Sequence, residues 1–364
     1  MGRIITESFE GGHFYRFGNV LGTLPSIPGG SSVNINTNPV YAIDGARTMY
    51  IDGYDHRITI PIPAQTEYFI GFFFISPNPA LVFSGFGKSG TVGNHKLTQW
   101  ISGGAELGYV RINPLTQKLE TYVGTGNGVL VASSSQAQVI TAGTIYHVQV
   151  HVDCTAGLIE TKLDDTLIMS VNVAIGAATI DRFDMWGGGN SFADNDLDAF
   201  QIFDDIVIND SVASLCTDTD TWPGVLRFQV QLISGPGTYS QFTPVPVQPN
   251  YLNVDEVPHD SDTSYNYALS SGLKDSFPVS PNGLNALGVT YKAWFQEVIA
   301  KKTSGTFKIK LGVRRAGVDY IEATGHDLGV AYDVYDSYRC EDPSTLGTWT
   351  SAALDATEII YEAD

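Results

Sequence analysis

The chain has little that would hold a fold together by covalent or metal bonds: it has three cysteines in 364 residues, Cys154, Cys216 and Cys340. They form no Cys-x-x-Cys pair, which excludes a zinc ribbon or a dense disulfide framework and leaves mostly free thiols as the expectation. Basic residues are also scarce, with 20 Lys and Arg against 39 Asp and Glu, a formal net charge of −19. Such a surface repels phosphate backbones and anionic headgroups, so nucleic acid is not expected as a partner. Long apolar runs are missing as well. The longest, Tyr68 to Ser76, falls far short of the ~20 residues of a membrane helix. Met1 to Thr6 has no signal-peptide stretch before Glu7 and Glu10, so neither membrane insertion nor Sec export is expected.

What is abundant points to strands. The chain has 38 Gly and 17 Pro beside 18 Tyr and 18 Phe, and 43% of its residues are hydrophobic. Frequent turn formers among aromatic and β-branched residues predict short strands and few helices. The length exceeds what one core usually covers, so two domains are expected.

Alternation is clearest from Ile145 to Asp153, where Tyr146, Val148, Val150 and Val152 share one face and His147, Gln149, His151 and Asp153 share the other, expected to be wet. Turns at Thr155-Ala-Gly157 and Asp164-Asp165 separate it from Leu158–Leu163 and Leu167–Val173, an antiparallel meander. Upstream, Gly108–Ile112, Leu119–Val123 and Val129–Ala132 repeat the spacing expected of a sandwich or barrel. Tyr68 to Ile75 is apolar on both faces and needs cover on both, in the interior or at a subunit contact. The polar stretch Ser211 to Gly224 predicts a boundary: a first domain over 1–212, a linker over 213–224 and a second β-rich domain over 225–364. In the second domain, strands are predicted over 291–300, 306–313, 318–323 and 330–339, with one short helix over 350–356.

Motifs for chemistry are thin. Gly85-Phe-Gly-Lys-Ser-Gly90 resembles the end of a phosphate loop, but Val82 stands where the leading glycine belongs and no helix pattern follows. Asp194, Asp196 and Asp198 would share one face of an extended segment and are candidate calcium ligands, although the Gly and terminal Glu of an EF-hand are absent. As a glycosidase pair they lack a Glu to serve as proton donor, and an acidic turn before the next strand is the plainer account of them. His147 and His151 are too far apart along a strand to share a metal, and no Gly-x-Ser-x-Gly elbow occurs. No enzyme, resident metal or cofactor is expected. Seven of the ten Lys and Arg beyond residue 218 lie between Lys292 and Arg315. Among them Lys308, Lys310 and Arg314 alternate with Ile309, Leu311 and Val313. That strip is either a solvated sheet face or an assembly interface for an acidic neighbouring subunit.

The phrases Gly143-Thr-Ile-Tyr-His-Val-Gln-Val-His-Val-Asp153, Leu158-Ile-Glu-Thr-Lys-Leu-Asp-Asp-Thr-Leu-Ile-Met169 and Phe203-Asp-Asp-Ile-Val-Ile-Asn-Asp210 resemble a concanavalin-like or laminin-G-like jelly roll over residues 1–212. Gly235-Pro-Gly-Thr-Tyr-Ser-Gln-Phe-Thr-Pro244, Asn253-Val-Asp-Glu256, Asp262-Thr-Ser-Tyr265 and Phe307-Lys-Ile-Lys-Leu-Gly-Val313 are similar to the second half of structural proteins of tailed bacteriophages. The pairing implies an all-β chain with an antiparallel jelly-roll sandwich followed by a second β-rich sandwich. It also implies a virion structural protein assembled in the host cytoplasm: a tail fibre, tail-tip component or capsid decoration. Its partners would be other virion proteins and its own copies, with host-surface glycan as a further ligand. The alternative is a carbohydrate-binding module or a glycan-active enzyme on the same scaffold. The chain departs from sugar-binding lectins in lacking their calcium and amide constellation. In a binding module Trp100 or Trp186, the latter beside Gly187-Gly-Gly189, would stack on sugar rings, whereas in a structural protein both would be buried.

Overall fold

A strand with apolar side chains at every second position has one face to bury and one to present outward. The computed structural model describes residues 3–7, 19–21, 33–36, 48–52, 57–76, 96–113, 116–124, 129–133, 139–175, 179–186, 200–211, 222–224, 231–256, 260–281 and 291–364. The chain divides into two compact units, Met1–Phe228 and Gln229–Asp364.

The strands of the first unit are β1 (Arg3–Glu7), β2 (Asn19–Leu21), β3 (Val33–Asn36), β4 (Thr48–Asp52) and β5 (Arg57–Gln65). They continue as β6 (Glu67–Ile75), β7 (Lys96–Ser102), β8 (Ala105–Ile112), β9 (Leu119–Val123) and β10 (Val129–Ser133). The last are β11 (Ile145–Asp153), β12 (Leu158–Leu163), β13 (Thr166–Asn172), β14 (Ile180–Trp186) and β15 (Phe200–Asp210). One eight-stranded sheet runs β13-β12-β11-β6-β15-β4-β3, with β1 also on β15, and a seven-stranded sheet runs β10-β9-β8-β7-β14-β5-β2. All pairings are antiparallel, and the path changes sheet between β4, β5, β6 and β7 and again between β13, β14 and β15. This is a jelly-roll β-sandwich.

The core lies between the sheets. Tyr68, Ile70, Phe72 and Phe74 of β6 and Val148, Val150 and Val152 of β11 meet Ile58 and Ile60 of β5 and Phe183 and Met185 of β14, all buried. Tyr68 packs edge-on against Phe183 at 5.9 Å and so joins the sheets. Each buried ring contributes about 2–3 kcal/mol of transfer free energy. Trp100 also points inward, over Gly108 of the neighbouring strand, where a Cβ would come within 2.5 Å of the indole. Asp164 and Asp165 form the β12–β13 turn at φ of 47° and 62°, a left-handed pair that aspartate tolerates.

In the second unit, strands β16 (Thr243–Val245) and β17 (Tyr265–Tyr267) pair with each other, as do β19 (Trp294–Ala300) and β23 (Asp333–Arg339). Strands β18 (Lys274–Pro278), β20 (Lys308–Arg315), β21 (Val318–Ile321), β22 (His326–Asp327) and β24 (Glu358–Ala363) form a five-stranded sheet. Ile309 and Leu311 of β20 pack with Phe277, Tyr335 and Tyr361, while Val313 packs with Trp294 and Trp349. The helix α1 (Ser351–Asp355) starts at Thr350, which caps it by accepting from the Ala353 N–H. Cysteine chemistry departs from the expectation of free thiols: Cys340 is disulfide-bonded, whereas Cys154 is free and its thiol is pushed up to about 11, first by burial and then by Asp153.

Candidate functional site

Because one face of the seven-stranded sheet is core, the other carries the remaining side chains of β5, β14, β7, β8 and β9, and these are polar and aromatic. Register sets them in rows. Thr59, Asp184, Gln99, Tyr109 and Tyr122 are successive cross-strand neighbours, and beside them Arg57 faces Trp186 and Lys96 faces Arg111, which faces Glu120. Asp184, Gln99, Lys96, Arg111, Glu120, Tyr109 and Trp186 are buried, while Arg57, Arg182, Glu106 and Tyr122 form a partly exposed rim.

Charges on this face are paired or laid over rings. Asp184 accepts from Gln99 Nε2 at 2.8 Å and has Arg57 Nε at 3.3 Å and Arg182 Nε at 3.1 Å. Neither of those Nε–H groups is aligned for a hydrogen bond, although Arg182 also donates to Asp184 through Nη2 at 3.4 Å. Lys96 Nζ donates to Gln99 Oε1 at 2.9 Å and to Glu106, and lies over the rings of Tyr109 at 4.5 Å and Trp186 at 5.3 Å. Burial pushes the Lys96 ammonium below its ordinary value although Glu106 pulls it upward. Arg57 lies over Trp186 at 4.8 Å and Arg111 over Tyr122 at 4.3 Å. Arg111 also donates to Glu120 through Nε at 3.1 Å and Nη2 at 3.0 Å. Tyr109 and Tyr122 stack at 4.9 Å, and burial raises both phenols above their usual range, so they stay neutral donors at neutral pH. The Trp186 indole N–H is buried without a hydrogen-bond partner.

The outer face of the eight-stranded sheet is not wet, contrary to the alternation-based expectation. His147, Gln149 and His151 are buried, as are Phe69 and Phe73 beside them, so both faces of β6 are covered. Phe69 stacks on His151 at 4.2 Å and Phe73 on His147 at 4.5 Å. His151 has Glu160 at Nδ1 (3.2 Å) and Glu67 at Nε2 (2.9 Å). The cover includes the supposed linker. Trp222 meets the edges of Phe69 and His151 under Lys162 at 4.0 Å, Pro223 lies over Gly71, and the Gly224 N–H donates to Gln149 Oε1 at 2.8 Å. The end of the 213–224 stretch is therefore part of the first unit, and the division between units falls after Phe228.

The sequence candidates fare unequally. Trp100 has no exposed surface and offers no ring face to a sugar, because its strand turns it into the core. Trp186 lies within the polar face, 9% exposed beside Arg57 and Lys96. Asp194, Asp196, Asp198, Gly187 to Gly189 and the Gly85–Gly90 motif lie outside the described residues. Among the described residues no group of three or more His, Cys, Asp or Glu is placed to hold a metal. Lys308, Lys310 and Arg314 do share an outward face, but each has an acid of its own chain: Asp327 at 3.2 Å, Asp364 at 2.8 Å and Asp319. The strip is internally neutralised, which removes the unpaired charge that an acidic neighbour would have met. Arg57, Lys96, Glu106 and Asp184 were missed. They are scattered along the chain without a motif, and only the β5-β14-β7-β8 order joins them.

No family model matches the chain, and no curated protein does. Among solved structures, it is similar to the carbohydrate-binding module CBM66 from Bacillus subtilis, with 10% identity, 49% of this chain and 92% of the other covered, and a TM-score of 0.31. Domain 4 of AbnA, a GH43 extracellular arabinanase from Geobacillus stearothermophilus in complex with arabinotriose, gives 12% identity, coverage of 60% and 97%, and a TM-score of 0.36. A Trypanosoma rangeli sialidase gives 12% identity and a TM-score of 0.30, with 49% of this chain covered, and the chain spans only 27% of that enzyme.

Proposed function

We propose that the first unit is a non-catalytic glycan-binding module whose site is the outer face of the seven-stranded sheet. The carrying observation is that Trp186 and Tyr122 lie beneath Arg57 and Arg111 on a face whose rim, Arg57, Arg182, Glu106 and Tyr122, remains accessible. A pyranose offers an apolar C–H face and equatorial hydroxyls, and aromatic edges beside fixed charged donors and acceptors match both. A binding role is favoured over catalysis because the carboxylates are engaged: Asp184 by Gln99 and two arginines, Glu106 by Lys96 and Glu120 by Arg111. The phenols, pushed upward by burial, are poor bases. Placement on a bacteriophage particle rests on the sequence resemblance alone.

The test is a glycan array probed with the wild type and with Trp186→Ala, each checked by thermal melting. Binding by the wild type and its loss in a folded Trp186→Ala variant are expected. A wild type that binds no glycan on a broad array overturns the reading.

A further inference from the structure

Resting on the glycan-binding reading of the same face, we propose that the sugar is a carboxylate-bearing one, held through Arg57 and Arg182. These two arginines, on the paired strands β5 and β14, converge on the single carboxylate of Asp184. Two guanidinium charges against one carboxylate leave an excess positive charge at this point. Asp181, the other acid of β14, accepts from the Gly103 N–H at 2.7 Å. Asp184 is fully buried, whereas the side chains of Arg57 and Arg182 are 26% and 28% exposed, so the excess charge is presented outward at the rim.

The bonding capacity is also unspent. The Nε–H groups of both arginines have no aligned acceptor; Arg182 gives Asp184 one long hydrogen bond through Nη2 at 3.4 Å, and the one charged partner of Arg57 among the described residues is Asp184, touched through Nε. Trp186 beneath Arg57 holds the guanidinium plane in place at 4.8 Å, and its own buried N–H awaits an acceptor. A guanidinium fork matches a carboxylate in shape and charge, and it binds most strongly where neighbouring groups are already out of water. A neutral sugar leaves this excess charge unpaired, while a uronate or a sialate closes it. In a chain of net charge −19 the general field repels an acidic glycan, so selectivity must come from this local pair.

The experiment is titration calorimetry of the full chain with four probes at low salt: an oligogalacturonate, its methyl ester, sialyllactose and lactose. One acidic sugar is expected to bind about tenfold or more tightly than its uncharged counterpart, and which one it is separates the two sources. That margin should shrink as salt is raised. Arg57→Lys, which keeps the charge and loses the fork, should cost the acidic sugar about tenfold while the melting temperature holds. Equal binding of an acid and its uncharged counterpart overturns the carboxylate inference and leaves glycan binding standing. No binding of any probe overturns the carboxylate inference and leaves glycan binding to the broad array, and unchanged affinity in Arg57→Lys overturns the assignment to that arginine.

Discussion

The Tyr361 hydroxyl lies 3.4 Å from the Asp275 carboxylate, its direct cross-strand neighbour where β24 meets the edge strand β18 of the second unit's sheet. The same carboxylate accepts from the backbone N–H groups of Gln241 (2.7 Å) and Phe242 (3.0 Å) and from Asn250 Nδ2 (2.7 Å). One buried acid therefore ties an irregular stretch to β18. Asp275→Ala leaves these donors unsatisfied and should cost about 3 kcal/mol, read by chemical denaturation of the second unit. A change within error would show that water replaces the carboxylate.

Acid should unfold the second unit through Asp319 and Asp342. Burial works against their ionisation, but it is outweighed by Arg314, Tyr239 and Lys274 at Asp319 and by Arg315 and Ser344 at Asp342, so both carboxyls titrate below their ordinary value of 3.8. A folded-state value below the unfolded one contributes stability that is present above the ordinary range and lost as pH falls through it. Burial holds Asp275 above 3.8, so its contribution has the opposite sign and is lost as pH rises. The expected outcome is a melting temperature that falls below about pH 4 and falls less in Asp319→Asn. Identical acid limbs in both proteins would exclude Asp319.

Exchanging Lys308, Lys310 and Arg314 for Glu should weaken the second unit itself. Each new carboxylate would face Asp327, Asp364 or Asp319, turning three ion pairs into repulsions. Exposed pairs are worth little, so most of the loss should come from Arg314, where Tyr239 and Lys274 converge on the same aspartate. Single exchanges followed by melting would show the ranking, and an equal loss at all three would contradict it.

Trp222→Ala should destabilise the first unit by about 2–4 kcal/mol, because it uncovers Phe69 and His151 and removes the ring beneath Lys162. A free linker would give no change in melting temperature.

Local structure was largely legible in the sequence. The alternation in Ile145–Asp153, the Asp164-Asp165 turn, the cationic alternation of β20 and the short helix after Thr350 all depend on neighbours in sequence, and the fold contains them. What was misread depends on long-range cover. A period of two shows that His147 and His151 oppose the core valines, but not that Trp222 will lie across His151. The sequence left Trp100 open between core and surface for the same reason, since exposure of an aromatic is set by the strands on either side. The cluster around Asp184 left no signal, because β14 enters the sheet between β7 and β5, both far upstream.

The same insertion at β15 bears on how the chain is made. Strand β6, apolar on both faces, pairs on one edge with β11 and on the other with β15, whose last residue is Asp210. During synthesis from the N-terminus that second edge therefore has no native neighbour until more than a hundred further residues have emerged. Over that interval β6 is a sticky open edge, so the yield of soluble protein should depend on translation speed and chaperone supply more than on final stability.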